Sequence, residues 1–571
     1  MYRTEHPKPQ FQRNSWRNLN GIWEFRFDPA RSGRQTGLYE PEAIFPLKIN
    51  VPFCPESALS GIEEKDFHHA VWYRRSVSLS GEELKGRVRL HFGAVDYDAF
   101  VYVNGKRVGT HRGGYTSFYF DITDHVQEGE NTLVVCAEDD TRDPLIPSGK
   151  QSDRFHSYGC SYTRTTGIWQ TVWLEFLPEA HIESVRYLTD VTACTLTVRA
   201  KVAGEGTLCI RALYNERCVG EATAEGQDGD ELILTLPLSE KHLWEPGHGR
   251  LYSLSLSYGE DSVESYFGLR SIRLSERDFL INDKKVFQRL VLDQGFYPDG
   301  IYTAPSDKEL AADIERSLAM GFNGARLHEK VFEERFLYHC DRLGYLVWGE
   351  FANWGLDHSR EDALFSFLPQ WLEAVERDRN HPAIIGWCPF NETWDINGRQ
   401  QRNELLSCVY LATRAADPSR PCIDTSGNYH VITDVYDLHD YEQDPAVFRE
   451  HYEPLGKTDD LRFAQVFRDR QIRYDGKRPF FVSEYGGIKW SEEQGSWGYG
   501  NAPKSEEEFL TRLKGLTDVL LDNEHMFGYC YTQLTDVEQE QNGLYTYDRR
   551  PKFDPAVIAA ILGRKAKYEE E

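Results

Sequence analysis

The second half of the chain alternates strand-like runs with helix-patterned segments, and this alternation restricts the fold more than any other feature of the sequence. Eight short apolar runs follow Arg270, and segments with helical periodicity separate them. The runs are VFQRLVLD (286–293), GARLHE (324–329), YLVWGE (345–350), IIGWCPFNE (384–392), PCIDTS (421–426), VYDLHDY (435–441), PFFVSEY (479–485) and FGYCYTQL (527–534). Eight β–α repeats over about 300 residues predict a C-terminal (β/α)8 TIM barrel over residues 271–571.

The chain before this alternation consists of short β-patterned segments. From residue 19 to residue 177, polar and apolar residues alternate between turns, which favours an antiparallel sandwich. Asn104 and Gly105 separate two such runs and predict a tight hairpin, because both residues tolerate positive φ. We therefore expect a jelly-roll-like β-sandwich over residues 1–178. A smaller set of β runs predicts an immunoglobulin-like β-sandwich over residues 179–270.

The charge and apolar content of the chain exclude several classes of partner. The formal net charge is −26, from 65 Lys and Arg against 91 Asp and Glu, and such a surface repels nucleic acid. The segment 1–15 has no apolar run typical of a signal segment, and no apolar stretch approaches the ~20 residues of a membrane span. We expect a soluble cytoplasmic protein without a nucleic-acid or membrane partner. Homo-oligomerisation stays open.

Two glutamates end strand-like runs of the predicted barrel. Glu392 ends the fourth run, and Glu484 follows PFFVS in the seventh. Active sites of such barrels form at the carboxyl ends of the strands, so both side chains are expected at the barrel mouth. Retaining glycoside hydrolysis uses a carboxylic acid and a carboxylate about 5–5.5 Å apart. A lone Asn-Glu pair arises easily by chance in so acidic a chain, but glutamates at both strand ends predict a glycosidase.

Five further segments share a pattern with a known family. They are RNLNGIWEFRFD (17–28), VWYRRSV (71–77), FGAVDYDAFVYVNGKRVGTHRGGYTSFYFDIT (92–123), GIWQTVWLE (167–175) and FGLRSI (267–272). Together with glutamates on strands four and seven, they resemble glycoside hydrolase family 2, the family of β-galactosidases, β-glucuronidases and β-mannosidases. The first four segments are similar to the family's N-terminal sugar-binding-like sandwich, and the fifth to the entry to its barrel. The resemblance covers nearly the whole chain.

The resemblance implies roles for four residues. Glu392 corresponds to the acid/base and Glu484 to the nucleophile of the family. Asn391 corresponds to the amide that holds the 2-hydroxyl of the sugar. Tyr441 corresponds to the tyrosine that hydrogen-bonds the nucleophile, with Tyr436 as a nearby alternative.

Other polar residues of the strand ends are candidates for contacts with the sugar in the −1 subsite. Asp293 ends the first predicted strand, His328 lies on the second and His439 on the sixth. Each is expected either to bind a sugar hydroxyl or to be a buried polar residue of the barrel mouth. For Arg326 and Glu350, a buried ion pair inside the mouth is an equal alternative.

Tryptophans are frequent at the strands of the predicted barrel. They are Trp348, Trp354, Trp387, Trp394, Trp490 and Trp497. Indole rings stack well on sugar rings, and Trp394, two residues after Glu392, is the candidate for substrate binding. Trp387 lies in the middle of a strand and is expected in the core.

Several positions depart from individual branches of the family. LVLDQG (290–295) stands where the galactosidase and glucuronidase branches carry Asn, a basic residue and His-Glu. Glu540 and Asn542 stand where the glucuronidase branch holds the uronate with Asn-x-Lys, and an acidic residue would repel that substrate. The segment 349–356 (GEFANWGL) has neither the Glu nor the His of magnesium-binding β-galactosidases at the matching positions, so no required metal is expected. On strand eight, the mannosidase branch has a tryptophan before a short polar pair, whereas this chain has Tyr531, Thr532 and Gln533 there.

These departures favour a retaining exo-β-glycosidase that acts on terminal neutral β-linked sugars, with β-galactosides first. β-Glucosides, α-L-arabinopyranosides, β-mannosides and β-glucuronides are alternatives within the family. A non-catalytic carbohydrate-binding protein is the alternative of another class, and the two glutamates argue against it. No cofactor is expected.

Overall fold

The N-terminal part of the chain is a sandwich of antiparallel sheets, in a computed structural model that describes residues 3–457, 461 and 467–570. The larger sheet has the strand order Leu47–Val51, Gly21–Phe27, Ala70–Leu79, Gly129–Glu138, Asp98–Val103 and Lys106–Arg112. The smaller sheet has the order Trp16–Asn18, Val172–Leu177, Arg87–Phe92 and Phe118–Asp121. Alternate residues of both sheets, such as Trp23 and Leu90, fill one apolar core. The hairpin at Asn104 and Gly105 is confirmed, with φ of 50° and 77°.

A second, smaller sandwich follows with its own core. One sheet contains His181–Asp190, Thr195–Ala203 and Glu231–Pro237. The other contains Arg217–Gly226, Gly206–Tyr214, Tyr252–Tyr258 and Asp261–Phe267. Two small sheets connect the larger units, formed by Val95–Asp96 with Gly167–Ile168 and by Ile272–Ser275, Asp278–Ile281 and Lys284–Lys285.

The predicted barrel is confirmed by the eight parallel strands that the described residues form after residue 285. We number them β1 (Gln288–Asp293), β2 (Gly324–Leu327), β3 (Leu346–Glu350), β4 (Ile384–Cys388, extended by Phe390–Asn391), β5 (Thr425–Ser426), β6 (Tyr436–Asp440), β7 (Phe480–Gly486) and β8 (Gly528–Thr532). Seven form one sheet, and β5 pairs with the extension of β4. The helices are α1 (Asp307–Ala319), α2 (Glu334–Leu343), α3 (Ala363–Asp378), α4 (Asn403–Ala416), α5 (Pro445–Tyr452), α6 (Glu506–Leu521) and α7 (Pro555–Leu562).

Close packing inside the barrel depends on glycines that face large rings. A Cβ added at Gly349 would lie 2.7 Å from the ring of Trp387, and one at Gly386 would lie 2.2 Å from Trp348. Both tryptophans are buried, so the expected core position of Trp387 is confirmed. The indole of Trp387 also donates to Asp417 at 2.9 Å. Within the described part of the chain, no helix combines the length and apolar character needed to cross a bilayer.

Candidate active site

Glu392 and Glu484 meet at the carboxyl ends of the barrel strands. Glu484 lies within β7. Glu392 directly follows the extension of β4, and its backbone N–H donates to Ser426 of β5 at 3.0 Å. One carboxylate oxygen of each glutamate lies within 4.8 Å of the other. The side chain of Glu484 is 7% exposed and that of Glu392 is 21% exposed, so the pair combines an enclosed carboxylate with a more accessible one.

His439 of β6 joins the two carboxylates. Its Nδ1 lies 2.7 Å from Glu392 Oε1, and its Nε2 lies 3.4 Å from Glu484 Oε1. Burial opposes the charge on this imidazole, but the carboxylates of Glu484 and Glu392 outweigh burial and raise the pKa of His439. Among the described residues, these three side chains form the one cluster with metal-ligand spacing. Both imidazole nitrogens of His439 thus lie within ion-pair distance of a carboxylate oxygen.

Glu484 receives two further contacts that favour its charged form. Arg326 NH1 donates to Oε1 at 3.1 Å, and the Tyr441 hydroxyl donates to Oε2 at 2.5 Å. Burial would raise the pKa of Glu484, but His439 and Arg326 outweigh it and lower the pKa to about 2. Tyr436, the alternative to Tyr441, is buried among core rings instead.

Asn391 is fixed on three sides. Its Oδ1 accepts from Arg326 NH2 at 2.9 Å, and its backbone carbonyl accepts from Asn353 Nδ2 at 3.1 Å and from the Trp354 indole at 3.0 Å. Its backbone N–H donates to Asn353 Oδ1 at 2.6 Å. These contacts leave the Asn391 Nδ2 without a bond to any described residue, beside Glu392, where it can donate to a ligand.

Arg326 and Glu350 form a buried ion pair, with Nε to Oε1 at 2.5 Å. His328 lies next to this pair, with its Nδ1 3.3 Å from Glu350 Oε2 and 3.9 Å from Glu484 Oε1. Burial and the nearby charge of Lys150 hold the pKa of His328 well below its usual value, so the imidazole is neutral. Arg326 also contacts Asn391 and therefore connects that residue with Glu350 and Glu484.

Asp293 is not brought to the carboxylate pair. Leu292 of β1 pairs with Arg326 of β2, whose side chain points into the barrel. Because successive side chains of a strand point to opposite faces, the side chain of Asp293 points out of the barrel. Its Oδ1 accepts from Gly295 N at 2.9 Å. Burial and the charge of Asp313 on α1 raise the pKa of Asp293 to about 6. The position at a strand end misled the prediction because successive side chains point to opposite faces.

Trp394 lies at the rim of the site. Its side chain is 44% exposed, and it follows Glu392 by two residues. An exposed indole at this position can stack on a ligand that binds at the barrel mouth.

Sequence reasoning named Glu540 and Asn542 but missed the contact between Glu540 and Tyr162. The Tyr162 hydroxyl, from the first sandwich, donates to Glu540 Oε2. Asn542 donates to Glu540 Oε1 at 3.2 Å and accepts from Gln533 of the segment after β8 at 2.8 Å. Gln294 donates both to Tyr162 at 2.9 Å and to Gln533 at 2.6 Å. Tyr162 lies more than 300 residues from its partner Glu540, so local patterns in the sequence carry no signal for this contact.

Two family models match the chain on either side of the second sandwich. Residues 42–174 match the sugar binding domain of glycosyl hydrolases family 2. Residues 272–556 match the TIM barrel domain of the same family. The second match includes both glutamates of the pair.

Curated relatives are similar to this chain in sequence, and solved structures are similar to it in fold. A β-galactosidase of Thermoanaerobacter pseudethanolicus is 30% identical over 66% of this chain, and the chain spans only 50% of that protein. A β-glucuronidase of Paenibacillus borealis is 23% identical over 97% of this chain and 98% of its own length. The structure of a β-glucuronidase from Ruminococcus gnavus in complex with D-glucuronic acid superposes with a TM-score of 0.78 at 22% identity, over 98% of this chain and 100% of that one. The chain belongs to glycoside hydrolase family 2.

Proposed function

We propose that the chain is a retaining exo-β-glycosidase in which Glu484 is the nucleophile and Glu392 the acid/base. The distance between the two carboxylates carries this proposal. Oxygens within 4.8 Å match the carboxyl separation of about 5–5.5 Å in retaining enzymes. An inverting enzyme needs about 6.5–9.5 Å between the carboxyl groups to accommodate a water molecule.

The surroundings of the two glutamates support this order of roles. With its pKa lowered to about 2, Glu484 is ionised at neutral pH, as a nucleophile must be. Glu392 is the more accessible of the two, and its Oε1 lies 2.7 Å from Nδ1 of His439, a group that can hold a proton. Glu392 can therefore exchange a proton with a leaving group at the mouth.

The proposed reaction has two steps. In the first, Glu484 attacks the anomeric carbon, the bond from that carbon to the leaving oxygen breaks, and Glu392 gives its proton to that oxygen. Esterification removes the charge of Glu484. Because that charge raises the pKa of His439, the pKa of His439 should fall in the ester intermediate. In the second step, water attacks the anomeric carbon, Glu392 accepts the proton of the water, and the ester bond to Glu484 breaks. Two inversions at the same carbon give retention.

A terminal neutral sugar is the proposed substrate, with a β-galactoside first. Glu540 is buried beside the mouth, and Tyr162 and Asn542 hold its carboxylate. A carboxylate at this place accepts hydrogen bonds from sugar hydroxyls but repels a sugar carboxylate.

A β-glucuronide is the second candidate. Relatives that match nearly the whole chain are named β-glucuronidases, including those of Paenibacillus borealis and Felis catus. The ammonium of Lys150, which is buried and within electrostatic reach of Glu484, also provides a positive charge near the pair.

A panel of nitrophenyl glycosides tests the proposal. The panel contains the β-galactoside, β-glucoside, α-L-arabinopyranoside, β-mannoside and β-glucuronide. We expect hydrolysis of one neutral member, its loss in Glu392→Gln and Glu484→Gln, and no loss in Glu361→Gln, a control at an exposed carboxylate. Azide added to Glu484→Gly should yield the α-azide of the sugar. Hydrolysis of the β-glucuronide alone would refute the neutral substrate, and a β-azide from Glu484→Gly would reverse the two roles.

A further inference from the structure

A loop of the first sandwich enters the barrel mouth and presents Lys150. The backbone N–H groups of Ser148 and Gly149 donate to the carbonyl of Trp354, beyond β3, at 2.9 and 3.0 Å. Gly149 has φ of 60°, and a Cβ there would lie 2.6 Å from the carbonyl of Glu329. The loop is therefore in direct contact with the barrel at the place where Lys150 emerges.

Lys150 is buried without a partner of its own. The residue is 5% exposed. Among the residues that the structure describes, none hydrogen-bonds its ammonium, and none forms an ion pair with it. Its Nζ lies 5.2 Å from the centre of the Trp354 ring, and the same indole donates to the carbonyl of Asn391, next to Glu392. The ammonium therefore lies at the wall of the candidate active site.

The charges around Lys150 keep it ionised. Burial lowers the pKa of a lysine, but the carboxylates of Glu540 and Glu484 outweigh burial here and raise the pKa of Lys150. A buried cation without hydrogen bonds is unfavourable unless a ligand or water supplies acceptors. The atoms that enter this site during the proposed reaction are the oxygens of the sugar.

We propose that Lys150 is a substrate-binding residue that donates hydrogen bonds to a hydroxyl on C3, C4 or C6 of the sugar in the −1 subsite, opposite the carboxylate of Glu540. This inference rests on the proposed function. Lys150 and Glu540 carry opposite charges and both approach the site, so together they suit a neutral polyol, with one group donating and the other accepting. The N-terminal sandwich thus contributes to sugar recognition at the reacting subsite itself.

Deoxy substrates test which atoms Lys150 contacts. We expect Lys150→Met to lower kcat/KM for the parent dinitrophenyl β-glycoside by about 10- to 150-fold, the range for a hydrogen bond to a charged group. In the wild-type enzyme, one of the 3-deoxy, 4-deoxy and 6-deoxy analogues should show a similar loss. In Lys150→Met, that analogue should show no further loss, because the contact is already absent.

Three outcomes would overturn the proposal. The first is an equal penalty for every deoxy analogue in the wild-type enzyme and Lys150→Met, which means that the lysine has only a structural role. The second is a loss confined to a β-glucuronide, which means that the ammonium binds a carboxylate. The third is a Lys85→Met control, at an exposed lysine, that loses as much activity as Lys150→Met. If Lys150→Met does not fold, Lys150→Leu carries the same comparison, because its side chain also has no hydrogen-bond donor.

A mechanism-based label separates this inference from the proposed function. A 2-deoxy-2-fluoro analogue of the panel's best substrate should form an ester with Glu484 in the wild-type enzyme, detected by peptide mass. Absence of the label on Glu484 would refute the proposed function. Labelling of Glu484 together with an unchanged deoxy penalty in Lys150→Met would refute the role of Lys150 alone.

Discussion

Tyr441→Phe should separate the two steps of the proposed reaction. The hydroxyl of Tyr441 donates to Glu484 Oε2 at 2.5 Å and lies 3.0 Å from the Thr532 hydroxyl. Its ring stacks on Tyr499, with centroids 3.4 Å apart, and a phenylalanine keeps that contact. Arg326 still donates to the other carboxylate oxygen at 3.1 Å, so the substitution removes one hydrogen bond and preserves the shape of the site.

The magnitude follows from the charge on Glu484 in each step. During formation of the ester the carboxylate loses its charge, so the hydrogen bond from Tyr441 is weaker in the transition state than in the ground state. During hydrolysis of the ester the charge returns, so the bond strengthens and its loss raises the barrier. A hydrogen bond to a charged group contributes about 1.5–3 kcal/mol, which corresponds to about 10- to 150-fold in rate. We expect kcat for a dinitrophenyl glycoside to fall by about 10-fold or more, and kcat/KM to fall much less.

Rapid-mixing kinetics measure this difference. Tyr441→Phe should release a burst of dinitrophenolate close to one equivalent per site, because the ester accumulates. Tyr485→Phe is a matched control, because Tyr485 lies in β7 next to Glu484 but its hydroxyl contacts Thr517 of α6 at 2.9 Å and has no contact with either carboxylate. An equal fall of kcat and kcat/KM without a burst would refute the reasoning.

Two further predictions concern stability. Gly349→Ala should lower the free energy of unfolding by about 1–3 kcal/mol, because the added Cβ would overlap Trp387. Gly81→Ala is the control and should leave the free energy of unfolding unchanged, because the nearest atom to its Cβ is 3.4 Å away. Equal denaturation midpoints for the two variants would contradict the prediction. Burial opposes the charge of His430, but Asp424 at 2.8 Å outweighs it and raises the pKa of His430 from 6.5 to about 9. The stability that this charge contributes is fully present below pH 6.5 and is lost as pH rises through 9. Between these two pH values, the free energy of unfolding measured by urea denaturation should therefore fall more in the wild-type protein than in His430→Gln.

Most strands of the barrel could be predicted because each is an apolar run bounded by polar turns. The run 479–485 agrees with β7 to within a residue at each end. The interval between β5 and β6 is the exception, since residues 427–435 form a loop and not a helix. Asp424 Oδ2 accepts from the backbone of Val431 at 2.6 Å and of Ile432 at 2.9 Å, which closes the turn. Three β-branched residues in a row disfavour helix there.

The candidate site could be predicted only where a residue's role depends on its place at a strand end. Glu392 and Glu484 are of that kind. Asp293 required the register of β1, which depends on pairing with β2 and not on local composition. Lys150 lies over 200 residues before either glutamate's strand, in a turn-rich segment with no periodic pattern. Its contribution becomes visible only when the sandwich and the barrel are in contact.

Trp354 shows why the position of Glu392 depends on both the first sandwich and the barrel. Its indole holds the carbonyl of Asn391, and its backbone N–H donates to Glu329 at 3.1 Å. Its own carbonyl accepts from Ser148 and Gly149 of the sandwich. A displacement of about 1 Å in a reacting group can cost about 100-fold in rate, so a loop that fixes Trp354 also restricts the place of Glu392, one residue after Asn391. The first sandwich therefore helps to set the geometry of the two glutamates to which we assign the reaction, in addition to presenting Lys150.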